Sequence, residues 1–334
     1  MRRWTNHALF VLLGSAFTTG WVAFFYGTAP SRVSLILHAA SGFAIVGLTP
    51  WKSVIAVRGV KRRRPGWWLS LIFTGLIVVS VFAGLLHSTG ILRQLGEISA
   101  MEVHVGAALA AIPFVVWHVI ARRIPIRAMD YSRRSLLRAG ALMAAAGLAY
   151  GASEGTVRWL SLPGERRRFT GSYEFGSLQP DQLPVTQWMF DSVPVIHPAA
   201  GRLVVQSASA LHAWTYEELV AFDDRVRATL DCTGGFYSEQ EWSGVWLSRL
   251  VPATPGGLSV SVRSSTGYSR RFPIEEAGRL LLATRLGGAP LDAGHGFPVR
   301  LVAPTRRGFW WVKWVTAITA EALPSWWQSP FPTQ

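Results

Sequence analysis

Four runs of apolar residues, each close to membrane-spanning length, constrain this chain more than any other feature. They cover roughly residues 8–28, 33–50, 67–87 and 101–120. A helix needs about 20 residues to cross ~30 Å of hydrocarbon, so each run predicts a transmembrane helix. A fifth run, 136–151, is shorter and rich in Ala and Gly. Beyond residue 160 short mixed segments take over. The expected organisation is an all-α transmembrane four-helix bundle at 1–125, a connecting segment with a fifth anchor helix at 126–160, and a further domain at 161–334.

Charge follows the same division. Residues 1–159 carry 17 Lys and Arg against 4 Asp and Glu, and the remainder is nearly neutral. Arg2, Arg3, Lys52, Arg58, Lys61, Arg62, Arg63, Arg64, Arg122, Arg123, Arg127, Arg133, Arg134 and Arg138 fall on one side of the alternating spans. Arg32 and Arg93 fall on the other. Cytoplasmic retention of Lys and Arg puts the N-terminus inside and residues 160–334 outside, across a bacterial cytoplasmic membrane. A net charge of +14 can signal nucleic acid. Basic loops that alternate with apolar spans, beside a neutral soluble half, exclude that partner. Charges confined to loops also speak against a transporter or channel.

The fourth run reads "HVGAALAAIPFVVWH", with His104 and His118 at its ends. At ~100° per residue, fourteen residues return a side chain to within about 40° of its first direction, ~21 Å along the axis. Both imidazoles therefore share one face. Coordinating side chains inside a span are costly and usually face a functional interior. His7, at the inner edge of the first span, matches His118 in depth, and His38, near the outer start of the second, matches His104. Two stacked bis-imidazole sites follow, each suited to a haem b. Gly42 and Gly106 are candidates for making room beside the macrocycles. His87 is a spare: an alternative outer ligand, part of a quinone pocket, or a packing residue. A lone interfacial histidine is commonly structural, but four that pair by depth are harder to explain that way.

This placement resembles the di-haem cytochrome b subunits of membrane formate dehydrogenases over about residues 1–125. The resemblance implies electron exchange with a membrane quinone or quinol. No CxxCH occurs, so a c-type haem would come from another chain, such as a soluble redox carrier. Ser132-Arg133-Arg134-Ser135-Leu136-Leu137-Arg138 precedes the fifth run and is similar to a twin-arginine export signal, read here as an uncleaved anchor. A plain positive-inside anchor is the alternative.

In the soluble half, strand-like stretches occur at 202–207, 226–231, 258–263, 299–303 and 313–320, and helical ones at 215–222, 242–250 and 274–286. Thr215 with Glu218 forms a capping box for the first helix. The expected class is α+β, rich in sheet. The single cysteine lies in "LDCTGGFYSEQEW", where Cys232 leaves a strand and meets Gly234-Gly235. An isolated Cys is usually a small core residue, and it cannot form an internal disulfide.

Four segments occur in order: "GSYEFGSLQPDQLPVTQ", "LDCTGGFYSEQEWSGVWLSRLV", "STGY" and "GHGFPVRLVAPTRRGFWWVKWVTAITA". Together they resemble the molybdopterin-binding domain of the sulfite oxidase superfamily, closest to bacterial periplasmic methionine-sulfoxide reductase catalytic subunits. The resemblance implies that Cys232 ligates molybdenum. It also implies that Tyr173, Glu174, His295, Arg300 and Lys313 hold the pterin and its phosphate, and that Tyr268 is the active-site tyrosine. A thiolate is a strong soft ligand for such a metal, and Arg and Lys are suited to phosphate.

Departures bear on substrate. The arginines that follow the metal cysteine in sulfite-oxidising members are absent, and Glu239 and Glu241 would repel a dianion if they faced the site. Phe236, Tyr237 and Trp242 suggest a less charged oxo-acceptor, such as a sulfoxide or N-oxide. His295 stands where the family has an asparagine. The expected function is quinol-driven reduction of such a small molecule. A sulfite-type dehydrogenase, or a cofactor-free structural or sensory membrane protein, is the alternative.

Overall fold

The structure is a computed structural model of the 334-residue chain. It describes all residues except 1, 62–64, 97, 126, 128, 129, 131, 189, 190, 198–201, 208, 209, 252–255 and 330–334. Arg62, Arg63 and Arg64 of the basic series thus lie outside the described residues. The chain forms two units, residues 1–173 and 174–334.

The first unit is helical: α1 (Arg2–Phe25), α2 (Ser31–Lys61), α3 (Trp67–Thr89), α4 (Ala100–Ala121) and α5 (Arg133–Trp159). All five are long and apolar enough to cross a membrane. The strands β1 (Gln94–Leu95) and β2 (Ile98–Ser99) form a short hairpin before α4. Helix α2 does not end near residue 50 as its hydropathy suggests. It continues through Pro50 to Lys61, over a stretch that mixes Trp51, Val54, Ile55, Val57 and Val60 with Lys52, Arg58 and Lys61. The start of α4 is set by Ser99 and Glu102: Glu102 N–H donates to Ser99 Oγ at 3.1 Å, and Ser99 N–H to Glu102 Oε2 at 2.7 Å. Helix α3 stops at Gly90, whose φ of 74° lets its N–H reach the carbonyls of Leu86 and His87.

Helix α1 packs along α2, α3 along α4, and α5 against α2. Leu12, Ala44, Ile45, Leu48 and Ala146 form the buried centre of α1, α2 and α5. Outward faces stay apolar: Phe82 is 61% exposed and Leu148 76%. Such a surface is costly in water and matched to hydrocarbon.

In the second unit β3 (Tyr173–Glu174) straddles the boundary. There follow β4 (Arg202–Gln206), β5 (Leu211–Thr215), α6 (Tyr216–Val220), β6 (Asp224–Asp231), β7 (Phe236–Trp246) and α7 (Leu247–Leu250). The remainder is β8 (Ser259–Ser264), β9 (Ser269–Pro273), β10 (Leu281–Leu286), β11 (Ala289–Pro290), β12 (Arg300–Val302) and β13 (Val315–Glu321). One sheet has β10 paired with β7, β11 and β12, and β7 with β6, all antiparallel. The other runs β5-β4-β13-β8-β9, with β4 and β13 parallel. Val245, Leu282, Leu301, Phe272 and Ile318 are fully buried in these sheets.

Two helix expectations fail here. Residues 242–246 belong to β7, and helix is confined to α7. Residues 274–279 form a 3₁₀ turn and 281–286 are β10. "IEEAGRLLLATRL" is rich in helix formers, but β10 is paired on both edges, and its burial overrides the local preference.

Candidate functional site

In the helical unit the structure brings His38 of α2 and His104 of α4 together, ring centroids 5.6 Å apart and nearly perpendicular. Each Nδ1 rests on a backbone carbonyl, His38 on Ala16 at 2.8 Å and His104 on Ser80 at 2.7 Å. That fixes the tautomer and leaves Nε2 as the lone-pair donor, the arrangement typical of metal-ligating imidazoles. Two glycines admit the rings. A Cβ built at Gly20 would lie 3.0 Å from His38 Nδ1, and one at Gly84 2.9 Å from His104 Nδ1. Gly42 and Gly106, the candidates for leaving room beside the macrocycles, have open space around them.

His7 and His118 are differently placed. His118 Nδ1 lies 3.3 Å from Ser70 Oγ, and its ring packs against Phe73. His7 turns Nε2 to the Ile124 carbonyl at 3.2 Å and Nδ1 toward Asp130 at 3.7 Å. Arg3 also binds Asp130, and this contact holds the carboxyl down to about 2. Among the described residues no ring contact joins His7 to His118. His87 is buried, with Nε2 on the Gly171 carbonyl at 2.8 Å and its own carbonyl accepting from Tyr173 Oη at 2.5 Å. Tyr173 therefore lies in the helical unit, with Arg93 over its ring and its hydroxyl pushed up by burial.

In the second unit Cys232 leaves β6 into a tight turn that returns as β7. Its N–H donates to the Phe236 carbonyl at 2.8 Å, and Gly235 (φ 99°) supplies the reversal. Gly234 N–H points at Cys232 Sγ at 3.4 Å, and Thr186 Oγ1 is 3.8 Å from the sulfur. Burial pushes the thiol up, while Gly234, Thr186 and Arg307 oppose that shift.

Arg300 and Lys313 converge although twelve residues separate them in sequence. A Cβ at Gly296 (φ 109°) would lie within 3.1 and 3.2 Å of their Cβ atoms. Arg300 is buried, its guanidinium over Trp242 at 5.1 Å and Trp311 at 5.6 Å. Lys313 Nζ donates to the carbonyls of Thr186 at 2.7 Å and Gly294 at 2.6 Å. Burial, with the charge of Arg300, lowers Lys313 to about 7, and burial lowers Arg300 to about 10.

His295 is occupied on both sides. Nδ1 meets Asp292 Oδ2 at 2.7 Å, Nε2 meets the Leu183 carbonyl at 2.9 Å, and its own carbonyl accepts from Arg300 at 3.2 Å. It braces the Arg300 turn, with no ring nitrogen left facing open space. Glu174 Oε1 accepts from Ser177 N–H at 2.8 Å. Tyr268 is buried, its hydroxyl donating to the Phe309 carbonyl, with Trp188 6.4 Å away ring to ring.

Residues 191–327 match the family described as oxidoreductase molybdopterin binding domain. The second unit is a molybdopterin-binding oxidoreductase domain. The chain is 30% identical over 135 residues to an Azospira oryzae protein provisionally named protein-methionine-sulfoxide reductase subunit YedZ1, covering 38% of this chain and 52% of that one. It is 37% identical over 71 residues to mitochondrial sulfite oxidase of Rattus norvegicus, covering 20% and 13%. The chain thus spans about half the length of the first relative and less of the second. Sulfane dehydrogenase SoxCD from Paracoccus pantotrophus superposes with a TM-score of 0.37 at 25% identity, over 39% of this chain and 40% of that one. At that score the superposition carries no argument.

The molybdopterin-binding domain has a donor set that fits its cofactor. Among the described residues Arg300 forms no ion pair, and its Nε is buried without a hydrogen-bond partner. Among the described residues no carboxylate forms an ion pair with Arg300 or Lys313, although Asp292 is near enough to act on both. Two buried cations side by side suit an anion such as a phosphate. The glutamates do not oppose this. Glu239 pairs with Arg227 at 2.6 Å, and Glu239 and Glu241 alternate with buried Ser238, Gln240 and Trp242 on the other face of β7. Strand alternation thus removes the repulsion the sequence suggested. Trp242, 1% exposed beneath Arg300, is likewise no substrate contact.

Sequence reasoning missed Thr186, Asp292, Arg307 and the glycines Gly20 and Gly84. The last two had a signal. Each stands nearly as far before its interhelical loop as its histidine stands after it.

Proposed function

We propose that this chain is a membrane-bound molybdenum oxidoreductase that exchanges electrons between the quinone pool and a small extracytoplasmic substrate through two b haems. The observation that carries the reading is the buried Arg300 beside Lys313, which forms no ion pair among the described residues, next to the chain's one cysteine in a glycine turn. Cys232 is the metal ligand, Arg300 and Lys313 take the pterin phosphate, and His295 holds the turn that carries Arg300. Tyr173 and Glu174 are further pterin contacts in this reading, and Tyr268 the active-site tyrosine. When bound, the cofactor supplies oxo transfer at molybdenum. The protein's own part is to fix the sulfur and neutralise the phosphate.

His38 and His104 serve the outer haem. His118 serves the inner one, with His7 opposite it once His7 releases the Ile124 carbonyl. His87 is kept as an alternative outer ligand. Positive-inside charge puts the N-terminus in the cytoplasm and the molybdopterin-binding domain outside, and the twin-arginine segment suits export of a folded, cofactor-loaded domain.

The favoured reaction is reduction of a sulfoxide- or N-oxide-like substrate, since no arginine follows Cys232 to hold a dianion. Sulfite-type oxidation is the second reading, favoured by the outward turn of Glu239 and Glu241. Metal and haemochrome analysis of the purified chain tests the proposal. Molybdenum and two haems are expected, with His104→Ala losing the outer haem and His118→Ala the inner. A chain free of molybdenum and haem would leave the cofactor-free alternative.

A further inference from the structure

Behind the cysteine turn lies a second buried group whose place in the chemistry no motif suggested. Arg307 follows the Pro304 turn, and its backbone forms a parallel bridge with Asp231, the residue before Cys232. Its Nη2 donates to the Cys232 carbonyl at 3.0 Å, and its Nε lies 3.4 Å from Asp231 Oδ1. Both side chains are almost wholly buried, 5% and 3% exposed. The next residue, Gly308, leaves room for the turn: a Cβ there would lie 3.2 Å from Cys232 Cα. The backbone that carries the sulfur is therefore gripped from the rear, at its carbonyl and at the preceding carboxylate, by one guanidinium.

The loop that supplies this guanidinium is itself fixed. Tyr268 donates to the Phe309 carbonyl, Arg270 lies over the rings of Phe309 and Trp310 at 5.1 and 5.2 Å, and Arg306 pairs with Glu276 at 2.7 Å. A buried ion pair is weak evidence for stability, because desolvation offsets much of the attraction. Its effect on a nearby redox centre is less ambiguous. A fixed positive charge in a low-dielectric site favours the more negative, reduced form, and a fixed negative charge opposes it.

We propose that Arg307 and Asp231 are positioning residues for the metal cysteine: together they fix the direction of the Cys232 sulfur and set the reduction potential of the centre it ligates. The inference rests on the reading of Cys232 as the molybdenum ligand. Arg307 and Asp231 act from behind Cys232, through its backbone, and make no contact with substrate in this account.

The test uses the full-length, cofactor-loaded chain, and reads the molybdenum(V) paramagnetic resonance signal and midpoint potential, with pterin content as the loading control. Arg307→Gln removes the positive charge and should lower the potential by about 59 mV, a tenfold shift for a one-electron couple. Arg307→Lys keeps the charge and loses the forked contact, so it should stay near the parent potential while the signal shape changes. Asp231→Asn removes the opposing charge and should move the potential upward, which remains readable if the glutamine variant does not load. A merely structural pair would alter thermal stability and leave loaded molecules at the parent potential. Parent potential in both Arg307→Gln and Asp231→Asn would overturn the proposal. Cys232→Ser separates the two readings. A changed signal there with unchanged Arg307 and Asp231 variants defeats only this inference, whereas an unchanged signal in Cys232→Ser defeats the ligand reading beneath it.

Discussion

At Lys313 burial and the neighbouring Arg300 act in the same direction, bringing the ammonium to about 7 from an ordinary 10.5. The consequence has a definite sign. Between those values the unfolded chain binds the proton and the folded one does not, so stability of the cofactor-free protein should rise with pH from about 7 to 10.5. Below 7 both states are protonated and this contribution is flat. Thermal midpoints of cofactor-free protein across that range check it, and Lys313→Met should remove the slope. Phosphate would relieve the same strain, so inorganic phosphate should bind the cofactor-free protein more weakly as pH passes upward through 7. Arg300→Ala leaves a buried phosphate without its charge partner, a loss of about 3–5 kcal/mol. Pterin content in that variant should fall by about a hundredfold or more, while Cys232→Ser should keep its pterin.

Among the elements, the helix hairpins place their histidines by way of small residues. Gly84→Ala should push the His104 imidazole off its Ser80 carbonyl and lower haem content, and Gly20→Ala should do the same at His38. Gly140→Ala in α5, with open space around it and no histidine beside it, should leave haem unchanged. Haemochrome counts on the three variants decide whether these glycines matter. The five spans were legible because hydrocarbon thickness imposes a length that hydropathy reports directly. The turn that carries Cys232 was legible because a strand, a cysteine and two glycines lie within a few residues. The strand β10 was not, since its pairing with β7 and β12 comes from distant sequence. The meeting of Arg300 with Lys313 was expected from the resemblance and from the Pro304 to Gly308 turn that the two residues flank. The Asp231–Arg307 grip joins residues 76 apart, and no local pattern announces it. The glutamates of β7 show the opposite case. Their alternation with buried residues was available in the sequence, and a strand assignment would have turned them outward.

For the whole molecule, charge asymmetry and the helical caps make a claim about orientation. Arg133 and Arg134 occupy the first turn of α5, where the helix dipole disfavours cations, so helix formation does not account for them. We propose that they serve retention at the cytoplasmic face or recognition as an export signal. Protease added to intact spheroplasts should digest residues 174–334 and spare the helices. Changing Arg133 and Arg134 together to lysine keeps the charge and should strand the folded domain inside if the twin-arginine reading holds. Normal export of that variant would return the segment to a plain anchor.

The central claim is that electrons pass between the helical unit and the cysteine site of the molybdopterin-binding domain. The most direct measurement follows haem b absorbance in membranes after reduction by quinol, on addition of a sulfoxide or N-oxide. The parent chain should show rapid reoxidation. Cys232→Ser should load pterin and haem, accept electrons from quinol, and then stay reduced when substrate is added. Reoxidation of the serine variant at the parent rate would mean that Cys232 is only a packing residue, and the account would fail.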